Sequence, residues 1–399
     1  MKLEALQIAI AGAGIGGLSL GAMLARRGAR VVIYDQMAAP QPVGSGFVLQ
    51  PTGAAVLDEM GLLDQVRARG AVINRMHGKL AGKGIGEPGK TVLEVGYRDG
   101  EHGIAIQRVA LFDLLLDAAV SAGVSFQTAS KVTGFAEGKR AAIVLEGGVA
   151  TAAADLVVDA MGASSPAGHD ATKELGYGAL WATVPWPENG PFHANELEQR
   201  YERASRMAGV LPVGTARDGA APMATFFWSL RNRDVDAWRK AGREAWIDEV
   251  RAMWPEAAHF AEIAEPVHAR YRHHTRRPIA GHGVIRIGDA WHATSPQLGQ
   301  GANMALLDAT SLTLALERSG SVDEAFALHL RQRRMHIRLY QTLSQVLTPF
   351  YQSDSRVLPM MRDVMIGPTT RLPMVRYVVS RLVTGDFLDP VGRLGIGRE

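Results

Sequence analysis

The chain has 399 residues, 47% hydrophobic and 21% charged, a globular profile with a sizeable core and length for two or three domains. It has no cysteine, which excludes disulfides, thiolate–zinc sites, iron–sulfur clusters and a thiol nucleophile, and its 12 histidines show no H-x-x-x-H metal spacing. A formal charge of +3 without a basic, aromatic-interleaved tract argues against nucleic acid, and the absence of an 18-residue apolar run argues against a transmembrane helix.

The N-terminal stretch carries glycines in a nucleotide-binding pattern and reads as mature protein, expected in the cytoplasm, rather than as a signal peptide. Gln7, Ile8, Ala9, Ile10 and Ala11 form a short apolar run ending in glycine, the pattern of a buried parallel strand. Residues 15–27 read as a helix, with Leu18, Met23 and Leu24 apolar and Arg26-Arg27-Gly28 as the stop. Residues 31–35 are a second apolar strand and complete a βαβ unit. A helix follows over 52–60, ended by Gly61. Residues 94–106 are strand-rich, and 108–120 form a helix with Leu111, Leu114 and Leu115 on one face. Strands joined by a turn are predicted over 125–147, and a buried strand over 155–160. From about 176 to 277 the character changes to proline-flanked short strands, such as 223–230, and a helical segment around 236–254. A strand over 283–288 and a helix over 303–317 come next, and helical patterns run on to about 382.

Gly12-Ala13-Gly14-Ile15-Gly16-Gly17 fits G-x-G-x-x-G between the first strand and the first helix. Gly12 permits the tight turn, Gly14 lets backbone approach a pyrophosphate, and Gly17 lets helix and sheet pack closely. The helix N-terminus then offers free N–H groups and partial positive charge to the diphosphate. Asp35, with Gln36 beside it, stands at the end of the second strand, where a ribose hydroxyl needs an acceptor. An acid there disfavours a 2′-phosphate, so the ligand is FAD or NAD.

A second block separates these two. Gly288-Asp289-Ala290-Trp291-His292 leads through Pro296, Gly299, Gln300, Gly301 and Ala302 to Asn303, starting as a strand ends and finishing as a helix begins. Such a loop presents a carboxylate to ligand hydroxyls, lays backbone against a flat ring and offers a helix N-terminus to negative charge. The block resembles the G-D-A-x-H-x-x-x-P-x-x-G-x-G-x-N segment of the FAD-dependent aromatic-ring monooxygenases typified by para-hydroxybenzoate hydroxylase. The resemblance implies that Asp289 contacts the FAD ribityl or pyrophosphate region and that Pro296 and residues 299–303 line the isoalloxazine. Residues 44–51, from Gly44-Ser45-Gly46 to Gln50-Pro51, and Gln107-Arg108-Val109-Ala110-Leu111 resemble two further family segments, the latter placing Arg108 near FAD.

The fold implied is α/β. A Rossmann-type FAD-binding domain is assembled from 1–75, 98–175 and 277–345, with an inserted β-sheet substrate domain from 76–97 and 176–276 and a helical segment over 346–399. The implied activity is hydroxylation of a small aromatic or heteroaromatic substrate, using NADH or NADPH and O2 through a C4a-hydroperoxyflavin. Two alternatives stay open: a flavin oxidoreductase without oxygen transfer, and a flavin-binding protein with altered NAD(P)H use. The family's D-x-V-V-G-A-D-G-x-x-S-x-x-R stretch here reads Asp155-Leu156-Val157-Val158-Asp159-Ala160-Met161-Gly162, with aspartate in place of the glycine, methionine in place of the motif aspartate and no following arginine. Asp159 could substitute by a local shift. No catalytic base is assigned. Phe226, Phe227 and Trp228 are candidate substrate contacts, with Phe226 and Trp228 on one strand face and Phe227 on the other. Trp291 either shields the flavin or substrate or packs in the core, and His292 reads as a structural histidine. The segment 373–383 has the pattern of a membrane-surface helix, with packing on its own domain or on a second subunit of a homodimer as the preferred expectation.

Overall fold

The computed structural model describes residues 1–39, 45–82, 89–98, 100–136, 140–166, 173–366, 369 and 372–397. The central sheet has six strands in the order 279–281, 284–286, 156–159, 7–11, 30–34, 125–127. Gln7–Ala11 lies in its middle, parallel to both Arg30–Tyr34 and Leu156–Asp159. The first strand is apolar throughout because both of its faces are covered. Ile8 and Ile10 pack with the helical side, whereas Ala9 and Ala11 meet Val132, Ile143 and Val157 on the other. The helices behind Ile8 and Ile10 are Ile15–Arg26, Arg108–Ser121 and Gly301–Arg318.

A seven-stranded sheet stands beside this unit, in the order 267–275, 173–185, 223–231, 206–212, 196–202, 75–80, 91–96. Its two sequence-distant parts join where Glu196–Glu202 runs parallel to Arg75–Leu80. Helices Val235–Ala241, Arg243–Met253 and Ala258–Ile263 cover its outer face. The helical segment expected around 236–254 is thus two helices, broken at Gly242, whose φ of +85° no other residue type adopts readily. Phe47–Leu49, Gly103–Ile106 and Ala71–Ile73 form a small sheet between the two larger ones.

Helix Val322–Tyr351 runs without interruption past residue 345, where the sequence reading placed a boundary. It starts at Ser321, whose hydroxyl caps the Glu324 N–H at 3.2 Å. Pro373–Thr384 and Pro390–Leu394 follow. Among the described residues no helix is long and apolar enough to cross a membrane.

Candidate active site

The first glycine loop opens onto a groove of about 450 Å³, lined in part by Gly12, Gly14, Ile15, Asp35, Gln36 and Arg108. Each glycine is explained by what a Cβ would meet. At Gly12, with φ +104°, it would stand 2.7 Å from the Ala160 carbonyl oxygen, and at Gly17 2.0 Å from the Gly12 carbonyl oxygen. At Gly14 it would meet nothing within 4 Å, because that position faces open groove. Gly16 rests on Ile287 and Ala305 behind the loop at contact distance. Gly12 and Gly17 are therefore demanded by the fold, and Gly14 by the groove. Asp35 ties the loop together: its carboxylate accepts from the Ala13 N–H at 2.8 Å and the Met37 N–H at 2.9 Å. A carboxylate has about four acceptor positions, so two such bonds leave capacity for a ligand hydroxyl.

Arg108 connects this groove to the second block. Its guanidinium lies 5.1 Å from the Phe47 ring, and its Nε is buried with no hydrogen-bond partner. Burial pushes the Arg108 pKa down, and the nearby Asp289 carboxylate pulls it back up. The Asp289 side chain is open to solvent, yet protein surrounds it closely enough for desolvation to raise its pKa against the pull of His292 and Arg108. Gly301 directs its Cβ position to within 3.8 Å of the Asp289 carboxylate. Pro296 and Gly299 are exposed on the loop, Gly301 and Ala302 are half-buried, and Asn303 is fully buried. Asn303 accepts from the Gln50 N–H at 2.9 Å and donates to the Gly299 carbonyl at 3.1 Å, so it fastens the two loops to each other. Gly44 lies outside the described residues, but Gly46 donates to the Thr225 hydroxyl at 3.0 Å and joins this region to the seven-stranded sheet.

The residues fit FAD on three observations: the empty space above Gly14, the unpartnered Nε of Arg108 in the groove wall, and the Asp35 carboxylate in the groove, with Asp289 near Arg108. A cavity of about 530 Å³ lies elsewhere, between the 202–206 turn and the outer helices at Trp238 and Trp246. It has neither glycine loop nor buried carboxylate, and the smaller groove is the better candidate.

All four candidate substrate contacts are buried in the core. Phe226 stacks on Phe260 at 5.9 Å, and Trp228 joins it beneath the outer helices, so both point away from the groove. Trp291 is buried among Met304, Ile337 and Tyr340 and packs rather than shields. Phe227 takes the opposite face, against Trp181 at 4.8 Å and Tyr201. That face also carries Thr225, the partner of Gly46, so Phe227 is on the side turned toward the loops.

Asp159 does not take the place of the motif aspartate. Its carboxylate accepts from the Ser165 hydroxyl at 2.7 Å and the Met161 N–H at 3.2 Å, and lies 3.4 Å from Arg286. Met161, Gly162 and Ser164 line the groove instead. Two arginines distant in sequence hold this stretch: Arg272 donates to the Ala163 carbonyl at 3.1 Å and Arg276 to the Ser165 carbonyl at 3.2 Å. Sequence reasoning missed these two, and also the groove wall at Ser130 to Thr133, because neither follows a local spacing rule. His292 is buried, with Nε2 2.6 Å from the Asp308 carboxylate.

Residues 5–333 match the family model described as FAD binding domain. The 6-methylpretetramide 4-monooxygenase of Streptomyces rimosus is 27% identical, covering 95% of this chain and 92% of its own. The 2-heptyl-3-hydroxy-4(1H)-quinolone synthase of Pseudomonas aeruginosa is 25% identical, covering 95% and 98%. The tetrameric form of 2-methyl-3-hydroxypyridine-5-carboxylic acid oxygenase shares the fold, with a TM-score of 0.77 at 20% identity over 97% of this chain and 98% of that one.

Proposed function

We propose a ring hydroxylation for this protein from a plain premise: the chain belongs to the FAD binding domain family. FAD is its cofactor, and it is an oxidoreductase of the FAD-dependent monooxygenase class. The reaction inserts one atom of O2 into a small aromatic or heteroaromatic substrate, with NADH or NADPH as the reductant. Nitrogen heterocycles are the first substrates to test, because the quinolone synthase and the pyridine carboxylic acid oxygenase are both named for such rings.

The observation that carries this reading is the convergence of the two glycine loops on Arg108, whose buried Nε has no protein partner and whose charge faces Asp289. When bound, FAD supplies two-electron transfer and the activation of O2. The chain's own residues bind and orient. Gly12, Gly14 and the N-terminus of helix Ile15–Arg26 would hold the diphosphate, and Asp35, with Gln36 beside it, the adenosine ribose. Asp289 would accept from ribityl hydroxyls. Pro296, Gly299, Gly301, Ala302 and Asn303 would border the ring. Phe227 and Trp181, on the sheet face turned toward the loops, would keep water from the substrate.

The test begins with whether the purified protein is yellow. NADH and NADPH oxidation under O2 is then followed with a panel of phenols, quinolones and N-heteroaromatics. Substrate-stimulated oxidation with a product one oxygen atom heavier is expected. Flavin reduction without oxygen transfer would overturn the proposal. Met161 at the groove, in place of an aspartate, favours one second reading: reduced flavin supplied from outside. Its mark is turnover with a separate flavin reductase and none with either nucleotide alone.

A further inference from the structure

Gln50 is buried with no exposed surface, at the N-cap of helix Pro51–Glu59. Its backbone N–H is held by Asn303, and Asn303 in turn holds the Gly299 carbonyl, so the residue is fixed to the loop that borders the ring site. Tyr97 donates its hydroxyl to Gln50 Oε1 at 2.8 Å. Burial pushes the Tyr97 pKa well above its ordinary value, so that hydroxyl stays protonated and remains a donor across the working pH range. With Oε1 engaged, the amide is turned so that Nε2 is left over. Nε2 is buried and has no hydrogen-bond partner.

A buried donor without an acceptor costs about 1–3 kcal/mol, so such groups mark the place of a missing partner. The open space beside it identifies the partner. A Cβ built on Gly299, where φ is +61°, would stand 3.9 Å from Gln50 Nε2 and meet no other atom within 4 Å. The unused amide and the side-chain-free face of Gly299 therefore share one opening.

We propose that Gln50 Nε2 donates a hydrogen bond to an acceptor atom on the edge of the bound flavin ring, with Tyr97 setting the orientation of the amide. The proposal rests on the reading that places the ring beside Gly299. Gln50 then contributes to holding the cofactor and to its electronics, because a donor aimed at the ring stabilises the more electron-rich reduced form.

The test titrates apoprotein with FAD for the wild type, Tyr97→Phe and the double variant Gln50→Leu/Tyr97→Phe. The double variant removes donor and acceptor together and strands no buried hydroxyl. Its FAD dissociation constant should rise about tenfold, its bound-flavin absorbance should shift, and its midpoint potential should become more negative. Tyr97→Phe alone keeps Nε2 but releases the amide to turn, and should change affinity, absorbance and potential in the same direction by a smaller amount. Unchanged FAD affinity, absorbance and potential in the double variant would overturn the proposal. So would a rise in substrate KM alone, which would assign the donor to the substrate. Should the double variant fail to fold, Gln50→Met carries the same comparison at conserved volume. Wild-type protein that takes up no FAD would instead overturn the reading beneath it.

Discussion

Gly14 and Gly17 belong to one motif but answer to different neighbours. A methyl at Gly17 would collide with the Gly12 carbonyl at 2.0 Å, whereas one at Gly14 enters empty groove. Gly17→Ala should therefore destabilise the apoprotein by about 1–3 kcal/mol, as overpacking does. Gly14→Val should leave apoprotein unfolding unchanged and weaken FAD binding tenfold or more. Urea unfolding and FAD titration of both variants separate the two roles, and equal loss of stability in both would contradict this division. The same spacing that named these glycines in the sequence could not tell them apart, because the difference lies in what stands opposite. Asp35 and Asp289 were legible for a similar reason: each ends or follows a strand at a position where the motif itself requires a carboxylate. Arg272 and Arg276 were not, since about 110 residues separate them from the carbonyls they hold.

Among the elements, helix Val322–Tyr351 places His329, Arg333 and His336 at intervals of four and three, on one face. That face meets Asp308, which is fully buried. Burial alone would raise the Asp308 carboxyl, but His292 and Arg333 outweigh it and hold the pKa well below the usual carboxylate range. Arg333 Nε donates to Asp308 at 2.7 Å, and its Nη1 lies 3.1 Å from His336 Nδ1. Since arginine only donates, His336 Nδ1 accepts, and its Nε2 carries the proton given to the Gly385 carbonyl at 2.9 Å. Burial pushes His336 down to about 3 and His329 to about 4 from an ordinary 6.5, so both fold as neutral rings. Below 6.5 the unfolded chain takes up these protons first. Stability should then fall as the pH drops from about 6.5 to about 4, by up to about 1.4 kcal/mol per pH unit for each ring. Asp308, held below its ordinary 3.8, begins to add its own loss as the pH falls through about 4. Urea unfolding of the wild type and of His329→Gln over that range checks the sign, and identical slopes would count against it. The strand Met223–Arg231 shows the same limit on local reading. Its alternation puts Phe226 and Phe227 on opposite faces, but only the helices packed behind it make Phe226 core. Phe226→Ala should cost about 3–5 kcal/mol in stability. Phe227→Ala should cost stability as well and in addition raise substrate KM, as paired unfolding and steady-state measurements would show.

At the scale of the molecule, the turn after helix Pro373–Thr384 packs against Thr52 and Gln300. Gln300 donates to the Val383 carbonyl at 2.6 Å and Thr52 to the Thr384 carbonyl at 3.1 Å, while Gly385, at φ +80°, fits against both side chains. Arg98, two residues beyond strand 91–96, pairs with Asp386 of the same turn at 3.1 Å. A chain terminated after Tyr351 lacks all of these and should purify with little bound flavin, as judged by its absorbance ratio. Retention of FAD at the level of the full chain would show that the turn does not hold the site.

The βαβ opening, both glycine loops, their carboxylates and the change to a sheet-rich insert were all readable along the chain, because each depends on residues a few positions apart and on backbone freedom or strand periodicity. Which aromatic rings are core, which side chains hold the altered 159–165 stretch, and the mooring of residues 383–386 on Thr52 and Gln300 had to wait for the folded molecule. Those outcomes arise from burial and pairing between segments a hundred or more residues apart, and no local pattern records which distant surface a side chain will meet.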